Sequence, residues 1–562
     1  PRAVELAADY VELGCRSAFS FLEGASTPEQ LVARAVERGH GALALADRDG
    51  LYGAPRFHRA ARSAGLRALV GARIRLPAGG EGAEAPLGEL TLLAESALGY
   101  RHLSRLLSTG HLRGGKDRVQ LHWEDLEENA AGLCALLHGD AALSPDAVDR
   151  SRGIFGERLW LAVSRQRSRQ SEFATRWAAD LAAAWRVPVV ATGDVRHAQP
   201  EGRRLLDALT CLRVGRRLDR AGRELLRNAE HHLRAPAESA ARFADRPDWV
   251  RASREIAERC AFTLDALDYR FPEFPVPAGE SQVSLLRAHT EAGARGRYGH
   301  PLPARARRQL EHELALIEKL QLAGYFLIVH DIARFARDQG ILCQGRGSAA
   351  NSAVCYALGI TAVDPVAMEL LFERFLSEER GEWPDIDIDL PSGEPRERVI
   401  QYVFEKYGRR GAAMTAVVIS YRTRMAVREM GKVLGLDEGI TGRLAALLSS
   451  LEDREDPRRV REALLASGID PEAPRVGVLL ELVGQVRGLP RHLGQHTGGI
   501  VIAAGRLDEV VPIESARMPN RRVVQWDKDD CADLGIIKID LLGLGMLRAL
   551  EDSLEQIRLH EG

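Results

Sequence analysis

Residues 381–393, GEWPDIDIDLPSG, decide how the second half of this chain folds. Side chains alternate across a strand, so Asp385, Asp387 and Asp389 share one face. Ile386, Ile388 and Leu390 share the other face and can enter a core. Like charges stacked on one face repel one another unless cations neutralise them. A solvated acidic edge strand gains nothing from this spacing, whereas carboxylates gathered to hold divalent metal do.

A second stretch, residues 534–544 (LGIIKIDLLGL), repeats the design: Ile537, Ile539 and Leu541 on one face, Ile536, Lys538 and Asp540 on the other. Laid beside the first strand, it makes three carboxylates converge with one ammonium group nearby. That is the constellation of a two-metal phosphoryl-transfer site, where one ion activates an attacking hydroxyl and the other holds a triphosphate. Lys538 either supplies a point charge to phosphate or DNA, or is a solvated strand charge. Upstream, residues 341–360 (ILCQGRGSAANSAVCYALGI) place a glycine-rich turn, Gly345-Arg346-Gly347-Ser348, before a helix of small residues. Amides at a helix N-terminus attract phosphate, and Ser348 adds a hydroxyl. Turns of this kind also serve simply as caps.

In the first half, short apolar strands (YVELG, ALALAD, ALVGARI, PVVATGD) alternate with helical stretches, a rhythm that predicts a β/α fold with parallel strands. Several end in polar residues: Cys15-Arg16, Asp47-Arg48-Asp49 and Asp194-Val195-Arg196. In a β/α barrel the C-terminal strand ends form the active-site face. Residues 78–86 (AGGEGAEAP) read as a loop. Residues 269–279 (YRFPEFPVPAG), with three prolines, read as a linker between domains. A polar helical block runs from about Thr423 to Arg487.

The chain has 562 residues, 45% apolar and 28% charged, which fits a soluble globular protein of three to four domains at roughly 150 residues each. It has no run of eighteen apolar residues, which excludes a membrane-spanning helix. PRAVELAADY at the start is not a signal peptide, and without Met it reads as trimmed. A net charge of −2 means that nucleic-acid binding must use local patches. Arg424, Arg428 and Lys432 recur every four residues and form one such stripe, or else a solvated helix face. Only six of the 77 basic residues are lysines, for which a GC-rich genome accounts. Seven cysteines without a Cys-x-x-Cys pair argue against structural zinc and fit a reducing cytoplasm.

The N-terminal segments YVELGCRSAFSFLEGAST, LALADRDGLYGAPRF, VGARI and ATGDVR resemble the polymerase-and-histidinol-phosphatase (PHP) domain family. That family carries a His-x-His pair, an Asp-His, a Glu and an Asp-x-His as ligands of a metal cluster for phosphoester hydrolysis. Here Gly14 and Arg16 stand at the His pair, Arg48 and Arg196 replace histidines and Arg73 replaces the Glu; Asp47 and Asp194 remain. Arginine offers only donors and stays protonated, so it cannot ligate metal. The expectation is a metal-free scaffold, with guanidinium groups paired to Asp47, Asp49 or Asp194 in place of metal charge.

The stretches HDIARFARDQGILCQGRGSAANSAVCYALGIT, LLFERFL, PDIDID and KIDLLGL resemble the palm of the C-family bacterial DNA polymerases, the polymerase III α-subunit type. VVISYRTRMAVREMGKVLGL, LPRHLGQHTGGIVIA and VVQWDKDD point to the error-prone, ImuC-like branch. The resemblance implies an α/β multidomain chain: a PHP-like barrel over 1–268, a linker over 269–280, a polymerase-β-like (nucleotidyltransferase) palm over 281–417 and 494–546, an inserted helical thumb over 418–493, and the start of the fingers over 547–562. It matches Asp385, Asp387 and Asp540 to the catalytic aspartates, Gly347-Ser348 to the triphosphate-binding pair, and Arg374 and Lys538 to phosphate-contacting residues. Asp389 falls at a further acidic position. The resemblance also implies two Mg2+ ions, dNTPs, primer-template DNA, a sliding clamp and ImuA/ImuB-type accessory proteins, in the bacterial cytoplasm at the nucleoid. The family is about twice as long, so the chain is expected to be part of a longer polymerase and inactive by itself. A replicative α subunit, a catalytically silent DNA- or partner-binding scaffold and a metal-dependent phosphoesterase are the competing readings.

Overall fold

The computed structural model describes residues 9–77, 87–116, 118–139, 143–376, 384–450, 457–466 and 468–561. The expected loop at 78–86 lies outside them. The chain divides into two compact units, residues 1–267 with 418–494, and residues 268–417 with 495–562.

The first unit is built on a seven-stranded sheet in sequence order: β1 (Glu12–Cys15), β2 (Ala42–Arg48), β3 (Arg67–Arg75), β4 (Glu89–Ala94), β5 (Leu133–His138), β6 (Leu159–Val163) and β7 (Val189–Ala191). Alternate residues feed two cores. Ala42, Ala44, Leu69 and Val190 pack with Ala252 and Ile256, while Leu43, Leu45 and Ala68 pack with Leu31, Val32 and Phe57. Burial on both faces explains the near-continuous apolar runs of these strands. The sheet is not all parallel, as the strand rhythm suggested: β3–β4 and β4–β5 are antiparallel.

The sheet closes on itself. Val195 N–H donates to the Gly14 carbonyl at 3.0 Å, and Arg16 N–H to the Val195 carbonyl at 2.9 Å. Glu12 fastens this seam: its buried carboxylate accepts from Tyr10 Oη (2.5 Å), Gly14 N (2.9 Å), Thr192 Oγ1 (2.7 Å) and Gly193 N (2.8 Å). The helices Thr423–Leu434, Glu438–Ser450 and Pro474–Val486 share a core with the helix Gly202–Val214 of the same unit, where Leu205, Leu206 and Leu209 join Val427, Met430, Leu444, Leu479 and Leu482.

The second unit carries a mixed sheet in the order β12 (Ile513–Ser515), β13 (Arg522–Asp527), β10 (Ala412–Ser420), β11 (Pro490–Ile502), β14 (Lys538–Leu544), β9 (Asp387–Pro391) and β8 (Gln344–Arg346). β9 and β14 run parallel, flanked by antiparallel β8 and β11. Ile386, Ile388, Leu390, Ile539 and Leu541 are all buried. The segment 268–281 is irregular, as its prolines require, and Tyr269 Oη donates to the Ile502 carbonyl at 2.8 Å.

Replacing Glu12 by Ala leaves buried donors unpaired on both sides of the seam. We expect a loss of about 3 kcal/mol in denaturant unfolding of the whole chain, and faster hydrogen exchange at Gly14 and Gly193. An unchanged midpoint would show that the seam is held elsewhere.

Candidate active site

The parallel register of β9 and β14 sets Asp540 directly opposite Asp387. Asp385, just before β9, brings a third carboxylate, and ligand oxygens of the three lie within 4.8 Å of one another. Among the described residues this is the only group of three or more acidic, His or Cys side chains so placed. Exposure falls across it, from exposed Asp385 through half-buried Asp387 to buried Asp540.

Three carboxylates this close need countercharge, and two side chains supply it. Lys538 Nζ lies 3.2 Å from Asp385 Oδ1 and also bonds Asp540. Arg346 donates through Nε to Asp389 Oδ2 at 2.9 Å, and its Nη2 lies 3.4 Å from Asp387 Oδ2. Burial, together with the charges of Asp385 and Asp540, still pushes the Asp387 carboxyl up to about 6. Burial disfavours the Lys538 charge, but its bonds to Asp540 and Asp385 hold its pKa above the ordinary value. Asp389 is buried and engaged by Arg346, outside the triad. Three oxygen donors in a half-open site fit a hard divalent cation of the magnesium type.

The glycine-rich turn reaches this triad. Gly347 has φ +69°, a conformation that favours glycine, and it sits against the triad: a Cβ there would make an ordinary contact with Asp387 Oδ2 at 3.9 Å. Ser348 is half-buried, and its hydroxyl donates to the Asp385 carbonyl at 3.3 Å. The expected phosphate site at the helix N-terminus is corrected here. Residues 347–351 form a 3-10 turn, and the following helix, Ala353–Ala357, has its leading amides occupied by Glu313 and Ser352. Arg374 ends the 3-10 turn Phe372–Arg374 and is exposed.

His496 was not singled out in the sequence. Its Nδ1 accepts from Gly498 N (3.1 Å) and Gly499 N (2.7 Å) and lies 3.9 Å from Asp540 Oδ1. A Cβ on Gly499 would meet Thr415 Oγ1 at 2.4 Å and His496 Nδ1 at 3.0 Å, so the Gly-Gly pair after the histidine was the available signal. In the first unit, Arg424, Arg428 and Lys432 are all exposed on one side of the helix Thr423–Leu434, while Ala426, Val427 and Met430 face its core.

The barrel mouth is organised differently. Asp194 takes Arg16 (2.8 Å), Arg73 (2.5 Å), Arg196 (3.1 Å) and His231 Nδ1 (3.2 Å). Glu23 and Glu89, which the sequence gave no reason to select, complete the lattice: Arg16 and Arg48 reach Glu23, each at 3.1 Å, and Arg48 and Arg73 bond Glu89. Burial alone would raise the Asp194 carboxyl, but Arg196, Arg16 and Arg73 hold it well below the usual range. Asp47 does not join: Ser17 and Ser20 hydrogen bond it, and burial pushes it up to about 6. Asp49 enters through its backbone, its N–H donating to the Arg73 carbonyl at 2.8 Å and its carbonyl 2.6 Å from His111 Nε2. Any side chain at Gly14 would collide with Thr192 Oγ1 at 2.5 Å. These residues do not fit a metal cluster.

Two family models match the chain. The bacterial DNA polymerase III alpha NTPase domain matches residues 284–543, and the PHP domain residues 12–179. The chain is similar to proteins named error-prone DNA polymerase: 46% identical over 579 residues to that of Mycolicibacterium paratuberculosis, covering all of this chain and 52% of the relative. It is 43% identical over 565 residues to that of Rhodopirellula baltica, covering 98% and 48%. Over residues 284–543 the chain resembles the C-family of bacterial DNA polymerases. Within that family the likeness is to the error-prone branch, and the chain spans about half the length of the curated relatives it matches.

The folded pKa of Asp194 lies below its unfolded one, so its contribution to stability is present above about pH 4 and lost as pH falls through the folded value. Asp194→Asn should cost about 3–5 kcal/mol at pH 7, with the gap to wild type narrowing in acid. Denaturant melts at pH 7 and pH 3 measure both, and a gap that does not depend on pH would contradict the lattice.

Proposed function

We propose that the protein to which this chain belongs carries out template-directed DNA synthesis by nucleotidyl transfer, of the error-prone kind used to copy damaged templates. The convergence of Asp385, Asp387 and Asp540 beside Lys538 and the Gly347-Ser348 turn carries the reading. The three carboxylates would hold two Mg2+ ions, which when bound supply charge stabilisation at the transferring phosphoryl group and a more acidic attacking hydroxyl. Lys538 balances the carboxylates and can turn its ammonium to a phosphate oxygen. Gly347 and Ser348 offer close backbone approach and a hydroxyl to the triphosphate, and Arg374 offers a further guanidinium.

The barrel serves as a scaffold whose arginines take the place of metal charge, which disfavours a phosphoesterase reading. The mixed sheet of the second unit acts as a polymerase-β-like palm, with 418–493 as thumb and the helix after residue 545 opening the fingers. The exposed Arg424, Arg428 and Lys432 contact the DNA backbone. Primer-template DNA and dNTPs are the substrates, and a sliding clamp and ImuA/ImuB-type proteins the partners, at the bacterial nucleoid.

Two experiments on the full-length polymerase test this reading. Asp387→Ala should abolish primer extension on damaged template, with or without a clamp; wild-type rates would sink the site. Replacing Arg424, Arg428 and Lys432 together by Ala should weaken primer-template binding at every sequence and lower the salt slope by about 2–3. An unchanged slope would make the stripe a solvated face.

A further inference from the structure

Glu313 lies on the helix Ala304–Lys319 among Leu310, Leu314 and Ile317, and it is wholly buried. An acid on the inner face of a helix needs a reason, and the reason here is four donors. Oε1 accepts from Ala353 N at 2.9 Å and Gln309 Nε2 at 2.9 Å. Oε2 accepts from Ser352 Oγ at 2.7 Å and Val354 N at 3.0 Å. The Ser352 oxygen in turn accepts from Cys355 N at 3.0 Å. Burial pushes the carboxyl above its ordinary range, yet every contact is a donor and the hydroxyl already accepts elsewhere, so the ionised form fits the site.

This cap anchors one end of the turn that reaches the triad. The other end is anchored by β8, paired to β9 at Arg346 and Asp387, and by Gly345 N–H donating to the Ile360 carbonyl at 2.6 Å. Between the anchors lie five residues, Gly347–Asn351, braced by Asn351 Nδ2 on the Ser348 carbonyl at 3.0 Å and Ser352 N on the Ala349 carbonyl at 3.2 Å. So short a turn takes its position from its ends. The amides that a helix N-terminus would offer a phosphate are spent on Glu313, which leaves the turn to meet the triphosphate.

We propose that Glu313 is a positioning residue for the incoming nucleotide: by capping Ser352–Val354 it fixes the Gly347-Ser348 turn over Asp387, and so sets nucleotide affinity without touching substrate or metal. The proposal rests on the polymerase reading above. Glu313→Gln keeps the shape but turns an amide NH2 toward an N–H or hydroxyl donor and removes the charge at the cap. The turn then loses one anchor while the triad keeps its own strands.

The test uses the full-length polymerase with single-nucleotide incorporation kinetics and calorimetric Mn2+ titration. Glu313→Gln should raise the nucleotide KM about tenfold or more, with kcat and Mn2+ affinity each within about threefold of wild type. Ser352→Ala, which removes one hydroxyl and no charge, should shift KM the same way by a smaller factor; if Glu313→Gln fails to fold, Ser352→Ala decides. An unchanged KM in the folded variants, or a fall in kcat or Mn2+ affinity with KM unmoved, overturns the proposal. If wild type incorporates and Asp387→Ala does not while KM stays unmoved, only the role of Glu313 falls. If wild type incorporates nothing, the polymerase reading falls with it.

Discussion

The site depends on one register. Pairing β9 parallel to β14 with Asp387 opposite Asp540 forces carboxylates together that would separate in water. A slip of one residue would turn Ile388 or Ile539 toward the site and the aspartates into the core. The buried isoleucines and leucines on the reverse face hold the register, so apolar burial sustains the electrostatic cost of the triad. Lys538 and Arg346 lower that cost without removing it, as the raised Asp387 carboxyl shows. The leftover negative potential is what a divalent cation would meet.

The barrel mouth meets the reverse problem. Four guanidinium groups face Asp194, Glu23 and Glu89 in shared ion pairs, an arrangement built from covalently attached cations. Fixed cations of this kind cannot activate water, but they can hold a barrel mouth together. One fold thus spends its acids on structure in the first unit and exposes them for chemistry in the second.

The strand phase of 385–390 and 536–541 was legible because a period of two is a local property. The Arg-for-ligand substitutions were legible because they occupy motif positions. Glu23 and Glu89 were not, since nothing in a sequence pairs Arg48 with an acid 25 residues before it and another 41 after it. Glu313 was hidden in the same way: three of its four partners are 39 to 41 residues on, and by local pattern it is one more acid on an amphipathic helix. The antiparallel β4 was missed because both faces of β3 and β4 are buried, and apolar runs do not reveal direction. The helix after Ser352 looked like a phosphate site because its capping acid comes from elsewhere in the chain.

The most direct test of the account is manganese anomalous diffraction from crystals of the full-length polymerase grown with primer-template and a nonhydrolysable nucleotide. The account expects anomalous peaks between Asp385, Asp387 and Asp540, triphosphate density against Gly347 and Ser348, and no peak between Asp47 and Asp194. Manganese in the barrel mouth, or a nucleotide-bound structure with no metal at the three aspartates, would contradict it.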